Sequence, residues 1–412
     1  MSDTVFVAAD LDGQTVEVGT AYFTRRNNVV STSFRYDERY LSRAGAYTID
    51  PVMPLSKGNH APAGMPGAFA DCSPDRWGKN LISKMVRIKA PRDGRTAPSV
   101  SDIDYLLGVS DLTRQGALRF RTERDGQFLD PGLTVPKIIE LPKLLRAADA
   151  VARDADDMAA IKDLLDAGSG SLGGARPKAS VRDGDRLLIA KFPHHNDDWD
   201  VTAWEKTALD LAERAGIETP PREITPVVGK AVLILQRFDR DRGRRLGYMS
   251  AMTMVAGRDG TPGDYLEVAE TLTEFGSRTG DDLRQLWRRI AFSIAIHNTD
   301  DHLRNHGFLR DGSSGWRLSP VFDVNPNPDV STQRVTGIGG AHKRDDELEG
   351  LMTYTDAFRV TAADAKQILR EVLDATSDWQ RVATNNGVAA SELSRFTDTF
   401  EGLRGLLERL TA

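Results

Sequence analysis

A single cysteine, Cys72, stands in 412 residues. That excludes a disulfide framework within the chain and any multi-cysteine zinc or iron–sulfur site. No apolar run approaches the length of a membrane span. The opening stretch, MSDTVFVAADLDG, lacks a basic segment followed by an apolar one, so no secretory signal is expected. Positive charge is not in excess either. Lys plus Arg is 54 against 60 for Asp plus Glu, a formal net charge of −6. A net-negative chain is a poor stand-alone nucleic-acid binder, although a local basic patch can exist on one. No internal repeat and no low-complexity segment is present. What is there, 40% hydrophobic and 28% charged residues, is the composition of a globular protein with a full core. The expectation is a cytoplasmic protein, an enzyme or a regulatory binder, with no membrane partner.

The first stretch reads as strands at Thr4–Ala9, Val16–Phe23, Val30–Tyr36 and Ala46–Ile49, separated by Asp-Gly, Asn-Asn and Gly turns. A Pro- and Gly-rich loop, Pro51 to Gly67, precedes helical patterns at Trp77–Ile88 and Ser101–Val109. Gly116–Arg121 reads as a short strand, and Pro131–Pro136 as a linker. The middle alternates: helix over Ile138–Ala167, a glycine-dense stretch over Gly168–Gly174, a strand at Leu187–Phe192, a helix at Thr202–Ala215 that Gly216 can end, and a buried strand at Ala231–Leu235. Beyond Arg240 the pattern is helical. Asp281–His297 carries an apolar stripe of Leu283, Leu286, Trp287, Ile290 and Ile294. Thr361–Ala375 and Ser391–Leu410 are also amphipathic, with Ser391 placed to cap the second. These patterns predict an α+β chain in three segments: 1–130, a small α+β subdomain; 131–238, an α/β lobe; and 239–412, a helical lobe.

The densest polar cluster runs from His297 to His306, just past the Leu283–Ile294 stripe. Asp300 and Asn305 stand as Asp-x-x-x-x-Asn, the spacing of a protein-kinase catalytic loop. There the Asp accepts a substrate hydroxyl proton and the Asn holds magnesium. Downstream, Asp323 follows the apolar Pro320-Val321-Phe322, where a second magnesium ligand would come. A metal-hydrolase alternative uses His297, Asp300, Asp301, His302 and His306 as ligands. It lacks a His-x-x-x-His pair on a clear helix and any thiolate.

Residues 168–174 formally contain G-x-G-x-x-G. A dinucleotide fingerprint needs a strand directly before it, and Ile161–Ala167 reads as helix, so that reading fails. A phosphate-covering loop remains, since glycines let backbone N–H groups approach phosphate oxygens, and Lys178 could add charge. Leu188-Ile189-Ala190-Lys191 resembles the V-A-I-K strand of kinases, whose Lys pairs nucleotide phosphates. Thr202 with Glu205 reads as a capping box, favoured over a Lys191–Glu205 ion pair. Gln236-Arg237-Phe238 ends a strand whose backbone could read an adenine edge. Arg237, Arg240, Arg242, Arg244 and Arg245 form a basic stretch that suits a solvated loop at least as well as a phosphate patch.

Five segments in order are similar to HipA-like proteins, the serine/threonine kinase toxins of bacterial toxin–antitoxin modules. They are Ser171 to Lys178, Lys191 to Pro193, Gln236 to Arg240, Thr299 to Asn305 and Ser319 to Asp323. Met65 to Phe69 and Asp71 to Gly78 resemble the family's N-terminal subdomain. The resemblance implies a two-lobed protein-kinase-like fold, with ATP and Mg2+ as cofactors. Asp300 would be the catalytic base, and Asn305 and Asp323 would hold the metal. Gly173, Gly174, Ala175, Arg176, Pro177, Lys178, Lys191, Gln236, Arg237, Phe238, His302, Asn305 and Phe322 would contact nucleotide. Ser171 falls where the family's regulatory autophosphorylated serine lies. Two departures are Gln236, where a Glu is common, and Arg176-Pro177 in place of the usual Gln and its follower.

The resemblance also implies partners: a helix-turn-helix antitoxin of the HipB type, DNA only through that antitoxin, and a protein target such as a translation factor or an aminoacyl-tRNA synthetase. Competing readings are a small-molecule kinase on the same scaffold and a catalytically silent subunit of a DNA-bound repressor complex.

Overall fold

The computed structural model describes residues 2–26, 29–92, 99–129, 134–153, 157–169 and 174–411. The chain forms two compact units. One comprises residues 1–196 with 225–249, the other residues 197–224 with 250–412.

The first unit contains two sheets. Strands β1 (Ser2–Leu11), β2 (Gln14–Arg26) and β3 (Val29–Tyr36) form an antiparallel meander, with β4 (Leu118–Arg121) added beside β1. The register shifts by one residue between Val7 and Ala8, a bulge that re-aims the strand. Gly19 sits where a Cβ would lie 2.3 Å from the Arg35 carbonyl oxygen, so only glycine fits that approach.

The second sheet has β5 (Lys178–Asp183), β6 (Arg186–Lys191), β7 (Arg222–Val227) and β8 (Lys230–Gln236), in the order β5-β6-β8-β7. Helices α1 (Arg76–Arg92), α2 (Leu141–Ala152) and α3 (Met158–Asp166) share one core with it. Trp77, Leu81, Leu144, Ile161, Leu164, Val181, Phe192 and Val232 meet there. Burying such side chains contributes about 1.5–3 kcal/mol each.

The second unit is mainly helical: α4 (Val201–Arg214), α5 (Tyr265–Phe275), α6 (Thr279–Ala295), α7 (Arg344–Thr353), α8 (Ala362–Thr376) and α9 (Trp379–Asn385). A short antiparallel pair, β9 (Gly307–Arg310) and β10 (Trp316–Leu318), follows α6. Every member of the predicted α6 stripe is buried. Gly216, at φ 75°, ends α4 as expected, with its amide and that of Ile217 closing on Glu213 and Ala212.

Three local expectations fail. Ala46–Ile49 is not a strand. Its backbone is satisfied by tyrosines instead. The Tyr47 carbonyl accepts from the Tyr40 hydroxyl at 2.9 Å, and the Ile49 amide donates to the Tyr36 hydroxyl at 3.2 Å. Thr202 does not cap α4. Asp200 does, accepting from the Ala203 amide at 3.0 Å, so Thr202 and Glu205 lie inside the helix. A carboxylate two residues upstream outcompetes a hydroxyl for the free amides. Finally, 391–410 is not one helix capped by Ser391. It breaks into short turns at 390–393, 394–396, 397–401 and 404–411. Phe396 stacks on Trp204 at 3.8 Å and Phe400 on Trp379 at 4.5 Å, and these ring contacts decide the backbone path.

Candidate active site

Helix α6 delivers the polar cluster. It ends at Ile296, and His297 turns the chain with φ 51°, a left-handed conformation that is rare for a residue with a side chain. The His297 ring is buried, and its Nε2 lies 3.1 Å from the Asp329 carbonyl oxygen. Burial pushes the imidazole pKa down to about 4, so it is neutral. The Asn298 carbonyl accepts from the Ser293 hydroxyl at 3.1 Å. Thr299 accepts from the Asn327 side-chain amide at 2.9 Å, which ties the loop to the segment after Asp323.

Asp300 is exposed at the end of this turn. The protein around it disfavours the charged form. His302 opposes that effect, and the Asp323 and Asp301 carboxylates reinforce it, so the carboxyl rests above its ordinary range. Asp300 and Asp323 therefore feel one another electrostatically. Asp323 itself is held at φ 57°. Asn305, in a short 3-10 turn, donates its side-chain amide to the Asp300 carbonyl at 3.0 Å. That bond fixes the amide, leaving its oxygen as an acceptor.

Beneath this loop lies a buried network that sequence reading missed. The Asp301 carboxylate accepts from the Tyr265 hydroxyl and lies 3.0 Å from His306 Nε2. Arg334 donates to Ser293 at 2.9 Å and pairs with Glu347 at 3.0 Å, with both charged side chains fully buried. Burial acts to raise the Asp301 pKa, but His306, Arg334 and the Tyr265 hydroxyl outweigh it and hold the carboxyl well below the usual range. Asp301 and His306 were visible in sequence only as candidate metal ligands. The structure turns them toward each other. Among the described residues no group of three or more His, Cys, Asp or Glu is arranged to hold a metal.

A hard-oxygen pair such as Asn305 and Asp323 nevertheless suits magnesium. That ion is usually held by one or two protein oxygens, with phosphates and water completing its octahedron. The orientation of the Asn305 amide and the proximity of two carboxylates both fit it.

The other predicted residues lie in the first unit, except for half-buried His302 and Phe322. Gly173 and Ser171 fall outside the described residues. Gly174, at φ 102°, Ala175, Arg176 and Pro177 lead into β5, and the Pro177 carbonyl accepts from Phe192 at 2.9 Å. Lys191 is buried at the end of β6, directly opposite Lys178 in the ladder. The Lys178 ammonium lies 2.5 Å from Asp75, with side chains 2% and 8% exposed. Gln236 and Phe238 are half-buried.

The arginine stretch is neither a solvated loop nor a phosphate patch. The Arg237 guanidinium is buried against Asp239 at 2.6 Å and the Thr113 carbonyl at 2.5 Å. Arg240 joins the same carboxylate at 2.7 Å, and Arg245 pairs with Asp111 at 3.1 Å. Only Arg242 and Arg244 are exposed.

No helix of the described residues is long and apolar enough to cross a membrane. Two curated relatives are "putative kinases". One, from Haemophilus influenzae, is 22% identical over 31% of this chain and 42% of its own length. The other, Y4mE from Sinorhizobium fredii, is 23% identical over 54% and 56%. The chain thus spans about half the length of the curated relatives it matches. The fold is similar to that of HipA from Shewanella oneidensis MR-1, a toxin–antitoxin protein solved with HipB and operator DNA. The match covers 98% of this chain and 97% of that one, with a TM-score of 0.63 at 15% identity. It is a mixed α/β architecture. The HipA N-terminal domain model matches residues 14–96, and the HipA-like C-terminal domain model matches residues 170–379, just over half of the chain. On these matches, the chain belongs to the HipA-like toxin family.

Proposed function

We propose that this protein is an ATP- and magnesium-dependent serine/threonine protein kinase and the toxin of a toxin–antitoxin module. The observation that carries the reading is the loop after α6. An exposed Asp300 sits with its carboxyl raised above the ordinary carboxylate range by its surroundings, beside an oriented Asn305 and within electrostatic reach of Asp323. A base is most effective when its pKa approaches the working pH, and phosphoryl transfer demands positioning more than covalent chemistry.

Asp300 takes the proton of the acceptor hydroxyl as its oxygen bonds to the γ-phosphorus and the bond to the leaving ADP oxygen breaks. Asn305 and Asp323 hold magnesium, which when bound neutralises phosphate charge. The residues proposed to contact nucleotide are Gly173 to Lys178, Lys191, Gln236 to Phe238, His302 and Phe322. Arg237 serves there through its backbone, because its guanidinium is engaged by Asp239. Ser171 is the proposed autophosphorylation site.

A helix-turn-helix antitoxin of the HipB type is the proposed partner, supported by the complex in which the Shewanella protein was solved. The net charge of −6 supports leaving DNA contact to that partner.

The test is phosphate transfer from labelled ATP by purified protein with magnesium. Asp300→Asn is expected to lower turnover about 10²–10⁴-fold while ATP binding persists. Near wild-type turnover in that variant would end the mechanism.

A further inference from the structure

The turn that presents Asp300 is held by its own carbonyls. From His297 to Asp301, five in succession accept a hydrogen bond. The donors are, in order, the Asn327 amide at 3.1 Å, the Ser293 hydroxyl at 3.1 Å, the Val335 amide at 3.0 Å, the Asn305 side chain at 3.0 Å and the Thr336 hydroxyl at 2.6 Å. A backbone with every carbonyl engaged has little freedom to shift.

Asn327 does more than the other donors. Its side-chain nitrogen donates to the Thr299 hydroxyl at 2.9 Å, and its side-chain oxygen accepts from the Asp329 amide at 2.9 Å. A backbone amide only donates, so the Asp329 bond decides which end of the side chain is oxygen. The Asn327 carbonyl accepts from the Thr399 hydroxyl at 2.9 Å. Both backbone groups and both ends of the side chain are therefore in use. A parallel tie runs from the Asn325 amide to the Asn298 side-chain oxygen at 3.4 Å. The local sequence is Asn325-Pro326-Asn327-Pro328. Each asparagine precedes a proline, which biases it to extended backbone, and each proline fixes its own φ. The segment is stiff before it meets the turn.

These ties lie between the two carboxylates of the proposed chemistry. Thr299 immediately precedes Asp300, and the Asn325–Asn327 segment follows closely on Asp323. The two carboxylates feel each other's like charge, so their approach needs something to hold it. Behind Asn327 stands Thr399, 1% exposed, in the turn 397–401. The carbonyls of Asp398 and Thr399 accept from Arg344 at 2.7 and 3.2 Å, which anchors that turn in place. The HipA-like C-terminal domain match ends at residue 379, so this support comes from beyond it.

We propose that Asn327 is a positioning residue for phosphoryl transfer. It clamps the turn before Asp300 to the segment after Asp323, and Thr399 clamps Asn327. The base and the metal-holding carboxylate thereby keep a fixed separation, set in part by the last residues of the chain. This rests on the phosphotransfer reading. A bond that only strapped the fold together would change stability and leave turnover alone. A clamp between the two carboxylates changes turnover and the magnesium requirement, and leaves ATP affinity nearly untouched.

The experiment compares wild type, Asn327→Ala, Thr399→Val and Thr399→Ser in full-length protein. It reads phosphate transfer from labelled ATP at saturating ATP, the magnesium concentration that gives half-maximal transfer, affinity for a fluorescent ATP analogue, and amide hydrogen exchange. Asn327→Ala is expected to lower kcat about 10- to 100-fold and to raise the magnesium midpoint about threefold, with ATP affinity within about twofold. Thr399→Val should lower kcat about three- to tenfold. Thr399→Ser keeps the hydroxyl and should stay within about twofold of wild type. Exchange should rise at the amides of residues 327 and 335 in Asn327→Ala and Thr399→Val, and stay unchanged in β6. A wild-type kcat in Asn327→Ala overturns the proposal. Equal turnover of Thr399→Val and Thr399→Ser does so too, as does unchanged exchange at those two amides. If Asn327→Ala shows no cooperative melt, the two Thr399 variants decide by the same readouts. If wild type transfers no phosphate, the kinase reading fails by itself, and the exchange comparison alone accepts or rejects the clamp.

Discussion

Two buried charge networks, one in each unit, use similar residues for different ends. In the first unit, Asp239 is shared by Arg237 and Arg240, and their remaining N–H groups go to backbone carbonyls of Thr113 and Arg114. The Gly116 amide completes the carboxylate at 2.8 Å. This network straps one stretch of backbone to another. In the second unit, Asp301 is held by side chains from α5, the loop before β9 and the segment around Arg334. Its neighbour in sequence is the exposed Asp300. The first network ends in backbone and the second ends beside the proposed catalytic base. Equal burial therefore does not mean equal purpose. The first should report on stability, the second on rate.

The strongest way to break the comparison is Asp239→Asn. Two buried guanidiniums would lose their counter-charge, and removing one partner of a buried ion pair costs about 3–5 kcal/mol. Urea unfolding should show that loss. The pH dependence has a definite sign. Burial alone would raise Asp239, but Arg237, Arg240 and the Gly116 amide hold its carboxyl well below the usual range. A depressed folded value contributes stability above the unfolded carboxylate pKa of about 3.9, and that contribution is lost as pH falls toward the folded value. The wild-type acid transition should therefore be shallower in Asp239→Asn. An unchanged urea midpoint would show that the strap bears no weight.

Next in size is Asp301→Asn. The amide keeps an acceptor for Tyr265 but drops the charge facing His306 and Arg334. The expected result is a fall in kcat of about 10- to 100-fold, from displacement of Asp300, with the KM for ATP nearly unchanged. If kcat stays at the wild-type level and only the melting temperature falls, the second network is a scaffold like the first.

These networks also show what the sequence could reveal. Periodicity exposed α6, because its five apolar positions repeat on one face and all of them are buried. The spacing of Asp300 and Asn305 was legible because both lie on one short turn, where sequence distance is nearly spatial distance. Asp75 and Lys178 are 103 positions apart, and Asp301 meets residues from Tyr265 to Arg334. No local pattern encodes such pairs. Arg237 to Arg245 misled for the same reason. The counter-charges of Arg245, Asp10 and Asp111, come from far upstream, and the carbonyls that bind Arg237 and Arg240 belong to Thr113 and Arg114. Ala46–Ile49 has strand-like residues, but a ladder needs a neighbour, and two tyrosine hydroxyls took that place.

The smallest expected effect sharpens the contrast most. Ser293 lies on α6 with its hydroxyl between three groups. It accepts from Arg334 at 2.9 Å, and it sits 3.1 Å from the Asn298 carbonyl and 3.2 Å from Asp301, with one proton to give. Ser293→Ala removes that hydroxyl and little volume, so packing is preserved. Arg334 keeps Glu347, and Asp301 keeps Tyr265 and His306. The loss should be that of an ordinary buried hydrogen bond, about 1 kcal/mol by urea unfolding. A scaffold bond of that size would leave turnover alone. Here the Asn298 carbonyl belongs to the turn that presents Asp300, so kcat should fall about three- to tenfold while ATP affinity holds. A variant with the stability loss but wild-type kcat would show that the hydroxyl supports the helix and not the loop.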